Sequence, residues 1–225
     1  MATKMFRALE IPNYRLWIIG ALVSNIGTWM QRVAQDWLVL TELTDHDAVA
    51  TGITTGLQFL PVLVLAPYAG LIADRFNKRH VLMVTQSFMG LCALILGLLV
   101  VTDSAQLWQV YVLAGLLGIG ASFDAPARQA FVSEVVPGSH LANAVALNSA
   151  NFNLARLAGP GIAGAVIALV GTGPAFLLNG ASFIAVITSL VFMRKDALHP
   201  LLRWHGAKGK CEKDSVTSKA VRICC

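Results

Sequence analysis

The sequence predicts an all-α, polytopic membrane protein with six transmembrane helices, and three observations carry that prediction. First, 56% of the 225 residues are apolar, 13% are charged and the mean hydropathy is +0.66, so most of the chain has lipid as its solvent. Second, apolar runs recur at 14–41, 51–73, 80–101, 107–125, 143–169 and 174–193, each close to or above the roughly 20 residues that a helix needs to cross a bilayer. Third, the runs are too long and continuous for barrel strands, and a backbone in hydrocarbon must bond within its own segment, so each is a helix. Little chain remains for a soluble catalytic domain.

Taken in order, residues 1–13 read as an amphipathic lead-in lying on the membrane surface, with Phe6, Leu9 and Ile11 apolar and Lys4 and Arg7 charged. It has no apolar h-region before a small-residue cleavage site, so no cleaved signal peptide is expected. The bundle occupies 14–193. Its first connection carries Glu42, Asp45 and Asp47; the second carries Arg75, Lys78 and Arg79; the third has Asp103, the fourth Arg128, the fifth no charge, and Arg194 and Lys195 follow the sixth run. Basic residues thus fall in every second connection and at both ends, which by the positive-inside rule predicts cytoplasmic termini. Residues 194–225 are expected to form a cytosolic tail. They hold eight Lys or Arg against three Asp or Glu, while 1–193 hold nine of each, so the whole net charge of +5 is a property of the tail. A nucleic-acid partner is not indicated.

A charge within a span costs at least about 2.5 to 3.5 kcal/mol on insertion scales, so each needs a partner or a role. Arg32 and Asp36 lie one turn apart in the first span, near Asn25, Gln31 and Gln35. Two readings fit: a self-neutralising pair near the outer interface with Trp29 and Trp37 as belt residues, or a polar lining where Asp36 exchanges protons beside Arg32. Arg156 in the fifth span has no acidic residue within a turn, so its partner comes from another helix, a substrate anion or a polar cavity. Gly159, Pro160 and Gly164 follow it, and small residues around a proline predict a bendable surface for close helix packing.

Between the second and third runs stands Gly70-Leu71-Ile72-Ala73-Asp74-Arg75-Phe76-Asn77-Lys78-Arg79. This loop resembles the signature of the major facilitator superfamily. Ser24 to Gln31, Asp36 to Leu40, Asp124 to Phe131 and Ala155 to Pro160 resemble its bacterial drug- and siderophore-exporter branch, of the enterobactin-exporter, transmembrane secretion effector type. The resemblance covers about residues 5–195 and implies the N-terminal half of a two-half transporter, built as a 3+3 inverted repeat. It implies a multi-pass protein of a bacterial inner membrane that exchanges protons for small amphipathic molecules, with no cofactor. It also implies that Arg75 or Lys78 pairs with Asp124 beside Arg128, that Asp74 seeks a partner in a second half, and that the Gly-Pro segment matches an antiporter motif. Asn77 replaces the usual glycine; asparagine tolerates a left-handed turn, so that conformation is expected to persist.

Three readings fit the tail: a solvated linker, a lipidation signal at Cys224-Cys225, or a lost base. Read one base early, Cys211 to Cys225 becomes Val-Arg-Glu-Gly-Phe-Arg-Tyr-Val-Lys-Ser-Arg-Pro-Asp-Leu-Leu, which resembles the family's entry into its second half. The expectation is a truncated half, inactive alone; a six-helix channel or carrier acting as a dimer is the alternative. An intramembrane protease is disfavoured, since Gly180-Ala181-Ser182-Phe183 lacks the final glycine of its motif and every histidine falls in a loop or at a span edge. No span holds a His/Asp/Glu cluster suited to a metal.

Overall fold

The computed structural model describes residues 7–193, and every regular element within them is helical. A 3₁₀ turn, Arg7–Glu10, leads into α1 (Pro12–Trp37), which continues as a wider π-helical stretch, Leu38–Leu43. There follow α2 (Ala48–Arg75), α3 (Lys78–Val101), α4 (Leu107–Val135), α5 (Leu141–Val170) and α6 (Thr172–Phe192). The readings of the first six residues and of the tail from 194 lie outside the described residues.

Local chemistry accounts for the boundaries. Pro12 opens α1, where its missing N–H is not needed. Asp47 caps α2 by accepting from the Val49 and Ala50 amides, and Asn77 caps α3 by accepting from Arg79 and His80. Asn77 therefore stands in extended backbone, with φ −66° and ψ 115°, and not in the left-handed turn expected of it. The side-chain cap is a different solution to the same short turn. Gly171, at φ 86°, joins α5 to α6 in a conformation that favours glycine.

Helix α4 runs ten residues past the expected end at 125, which moves Asp124 and Arg128 from a helix end and a connection into the helix itself. Pro126 removes only the bond to the Ser122 carbonyl. Beyond it Phe131, Val132 and Val135 are buried against Tyr14, Trp17 and Leu82, and that apolar burial holds the extension in place.

Among the described residues, five helices are long and apolar enough to cross a membrane: α2, α3, α4, α5 and α6. Helix α1, with 26 residues, is long enough, but Asn13, Asn25, Gln31, Arg32, Gln35 and Asp36 dilute its apolarity. It packs between α5 and α6; α3 lies between α4 and α6, and α2 runs along α4. Each of the first three helices thus finds its main neighbours among the last three.

Small residues permit these crossings. A Cβ on Gly97 of α3 would come within 2.7 Å of Leu177 in α6, and one on Gly20 of α1 within 2.8 Å of Ser189. At Gly118 of α4 it would meet the Gln58 and Leu57 carbonyls of α2 at 2.7 and 2.8 Å. The Leu57 carbonyl lacks its helical donor because Pro61 stands four residues on, so the bare glycine lets α4 close over it. Helices α2 and α5 are the least covered: only 17% of the most apolar window of each is buried, against 44–50% for α3, α4 and α6.

Candidate functional site

The polar residues of α1 meet α2, α5 and α6 deep in the bundle. The Arg32 guanidinium lies over the rings of Trp29, at 4.7 Å, and of Phe59 from α2, at 4.6 Å. The Arg156 guanidinium of α5 approaches the same Trp29 ring at 5.6 Å, and Phe152 meets that ring edge-on at 5.8 Å. Neither arginine has a hydrogen bond or ion pair among the described residues. The Asp36 carboxylate instead accepts from Thr55 of α2 at 3.2 Å. Arg32 and Asp36 make no ion pair but remain within electrostatic reach of each other, and Trp29 is a half-buried packing centre rather than a belt residue.

A small cavity of about 20 Å³, room for about one water, adjoins Arg32 and is lined by Thr28, Gln31, Gln35, Gln58 and Asn179. Asn179 of α6 donates to Gln31, and Gln35 donates to the Val110 carbonyl at 3.4 Å. Gln31 and Gln58 each keep a buried amide nitrogen, and Gln35 a buried amide oxygen, without a protein partner. Nearby, Asn25 donates to Asn151, which donates in turn to the Ile18 carbonyl at 2.8 Å, tying α1 to α5.

A second network lies towards the end of the bundle that holds the α2–α3 connection. Asp124 accepts from Arg128 Nε at 3.0 Å and Nη2 at 2.8 Å, from Thr85 at 3.0 Å and from Gln86 at 2.6 Å. Ser24 of α1 donates to Gln86, so the network around this buried carboxylate reaches a third helix. Arg128 also rests over Trp17, at 5.4 Å. Lys78 pairs with Glu134 at 2.9 Å, and Arg79 donates to the Val191 carbonyl near the end of α6.

This arrangement of six long helices, charged groups at depth and a basic α2–α3 turn is matched in sequence. A model of the transmembrane secretion effector family of major facilitator transporters matches residues 3–204. The chain belongs to that family. It is 33% identical over 167 residues to a staphyloferrin A transporter of Staphylococcus aureus, covering 73% of this chain and 42% of that protein. It is 30% identical over 184 residues to the multidrug efflux pump Tap of Mycolicibacterium fortuitum, covering 80% and 44%. An uncharacterized transporter, YfiS of Bacillus subtilis, is 28% identical over 78% of this chain and 40% of its own length. The chain spans about two-fifths of the length of these curated relatives. The family and these relatives are transporters, not enzymes.

Within this facilitator bundle the expected residues divide into groups. Arg32 and Arg156 converge on Trp29, and Asp36 stands on Thr55. Asp124 and Arg128 form the buried pair, but Lys78 takes Glu134 and not Asp124: as a residue well inside the longer α4, Asp124 already has its four bonds, and Glu134 stands nearer the α3 start. Asp74 is exposed and has no partner among the described residues; Arg75 is also exposed. Gly159 packs against α1, where a Cβ would lie 3.2 Å from the Met30 amide nitrogen, whereas Gly70 and Gly164 face open space. Pro160 is exposed in a continuous α5, and it leaves the Arg156 carbonyl without its helical donor. Sequence reasoning missed Thr55, Phe59, Thr85, Gln86, Glu134 and Asn179. Thr85-Gln86 and Asn179 carried the one available signal, polar residues in otherwise apolar runs.

Proposed function

We propose that this chain is the N-terminal bundle of a proton-coupled exporter of small amphipathic molecules. It crosses a bacterial inner membrane six times with both termini in the cytoplasm, and it works only against a second bundle, from further sequence or from another chain. The observation that carries the reading is the set Arg32, Asp36 and Arg156. Arg156 has roughly 20 Å of helix on either side at 1.5 Å per residue, so it lies near mid-membrane, where unpaired charge persists only for use.

The neighbour pattern supports an inverted repeat. Exchanging α1 with α4, α2 with α5 and α3 with α6 turns the α1–α5 contact into α4–α2 and the α1–α6 contact into α4–α3, and leaves α3–α6 unchanged. The poorly covered α2 and α5 are the surfaces against which a second bundle would rock. Relatives that bear the names of a siderophore transporter and a multidrug pump support small-molecule efflux.

In this reading Asp36 carries the proton. Its carboxylate holds Thr55, so protonation would loosen the link between α1 and α2 and alter their relative tilt. The test compares proteoliposomes holding the chain alone with those holding it joined to the second bundle of a relative, under an imposed proton gradient. The joined form is expected to expel substrate and the chain alone is not. Equal proton-driven efflux by the chain alone would overturn the need for a second bundle, and normal pH-driven efflux by an Asp36→Asn joined form would remove Asp36 as the carrier.

A further inference from the structure

We propose that Arg32 and Arg156, set around Trp29, form a receptor for an organic anion, and that the site selects ring-bearing carboxylates over lipophilic cations. The inference rests on the transport reading and names the substrate class of the same bundle. Three observations carry it.

The first is charge. Two guanidiniums share one tryptophan ring, at 4.7 and 5.6 Å, and neither meets a carboxylate. The nearby acid, Asp36, attracts Arg32 electrostatically but makes no ion pair with it, and one of its oxygens is engaged by Thr55. Two cations on one ring repel each other, and a bound anion would relieve that repulsion. The second is hydrogen bonding. Trp29 and Phe59 hold Arg32 through their ring faces, which fixes its position without using any of its five N–H donors. A guanidinium held this way offers its planar fork to a carboxylate, which it matches in a bidentate pair. The third is the surround. Phe59 and Phe152 are 45% and 47% exposed beside the two arginines, so the body attached to the anion would meet aromatic faces.

An anionic lipid headgroup shares the oxyanion chemistry, and the test separates the two sources. The full 225-residue chain is placed in phosphatidylcholine nanodiscs, and equilibrium binding is measured for 2-naphthoate and for 2-naphthylmethylammonium, which has the same ring with the opposite charge. Naphthoate is expected to bind at least tenfold more tightly than the amine. Arg32→Gln and Arg156→Gln should each weaken naphthoate at least tenfold, and Arg32→Lys, which keeps the charge but loses the fork, should fall between. Helical circular dichroism and gel filtration check folding, and Arg156, on an exposed face with no hydrogen bond among the described residues, provides the variant expected to disturb the fold least. Equal binding of the two probes, or unchanged naphthoate binding in Arg156→Gln, overturns the proposal. So does the absence of naphthoate binding in phosphatidylcholine, or its complete displacement by phosphatidylglycerol in the discs, since the site would then belong to a lipid. Binding is read without transport, so its failure leaves the exporter reading standing, and efflux that fails with binding intact counts against the exporter reading alone.

Discussion

Replacing Asp124 by alanine should be among the most damaging single changes in the bundle. Asp124 is 6% exposed and its carboxylate accepts four bonds, two of them from Arg128. Its removal leaves Arg128 buried with no counter-charge, a situation that costs about 3–5 kcal/mol, and the Trp17 face at 5.4 Å offsets about 1 of that. The expected loss is therefore about 3 kcal/mol. Arg128→Met should cost less, about 2 kcal/mol, because Thr85 and Gln86 still satisfy part of the carboxylate. In the double variant neither charge is left alone, so its loss should fall short of the sum of the single losses by about 1–2 kcal/mol. The assay is reversible unfolding in mixed micelles, followed by helical circular dichroism and by tryptophan fluorescence, to which Trp17 beside Arg128 contributes. Additive losses, or an Asp124→Ala loss under about 1 kcal/mol, would refute the assignment of the pair as a buried, mutually dependent unit.

Three further outcomes are expected. Gly159→Ala should lose about 1–3 kcal/mol, because its Cβ would press on the α1 backbone at Met30, while Gly164→Ala, which faces open space, should be neutral or gain up to about 1 kcal/mol in the same unfolding assay. Lys78→Glu should lower stability by about 1 kcal/mol, since its side chain and that of Glu134 are only 15% and 12% exposed, and the exchanged pair Lys78→Glu with Glu134→Lys should recover most of it. In a variant without the native cysteines, Asp45→Cys in intact cells should react with an impermeant thiol reagent and Asn77→Cys should not; labelling of the latter would reverse the proposed orientation.

The helical runs were legible because lipid imposes one constraint on every span, so continuous apolarity is enough to locate them. Two helices departed from this: α1, whose polar residues keep it from being apolar enough to count as a span, and α4, where a proline after Asp124-Ala125 reads as a stop unless the burial of Phe131 and Val135 is known. The arginines were legible as anomalies, yet their surroundings were not. Phe59 and Trp29 look like ordinary apolar residues in a sequence, and only the crossing of α1 with α2 and α5 makes them a cage. Lys78 illustrates the other limit. Glu134 lies 56 positions away, so nothing local distinguishes it from Asp124, and helix length alone decides which acid stands opposite the lysine.

The interleaving of early helices with late ones bears on how the protein is made. When α1 leaves the ribosome, α5 and α6 do not yet exist; α5 begins 104 residues after α1 ends. At translation speeds of about 5–20 residues per second, that gap is roughly 5–20 s. For that interval Asn25 lacks Asn151 and Gln31 lacks Asn179, and Arg32 and Asp36 can meet only Phe59 and Thr55 of α2, in a segment that is itself the least apolar of the six. Release of α1 into lipid before α6 arrives would strand its polar face, so assembly should depend on the insertion machinery retaining the early helices until the chain closes on them. Slow synthesis or a late stop upstream of α6 would thus harm the whole bundle and not merely its last helix.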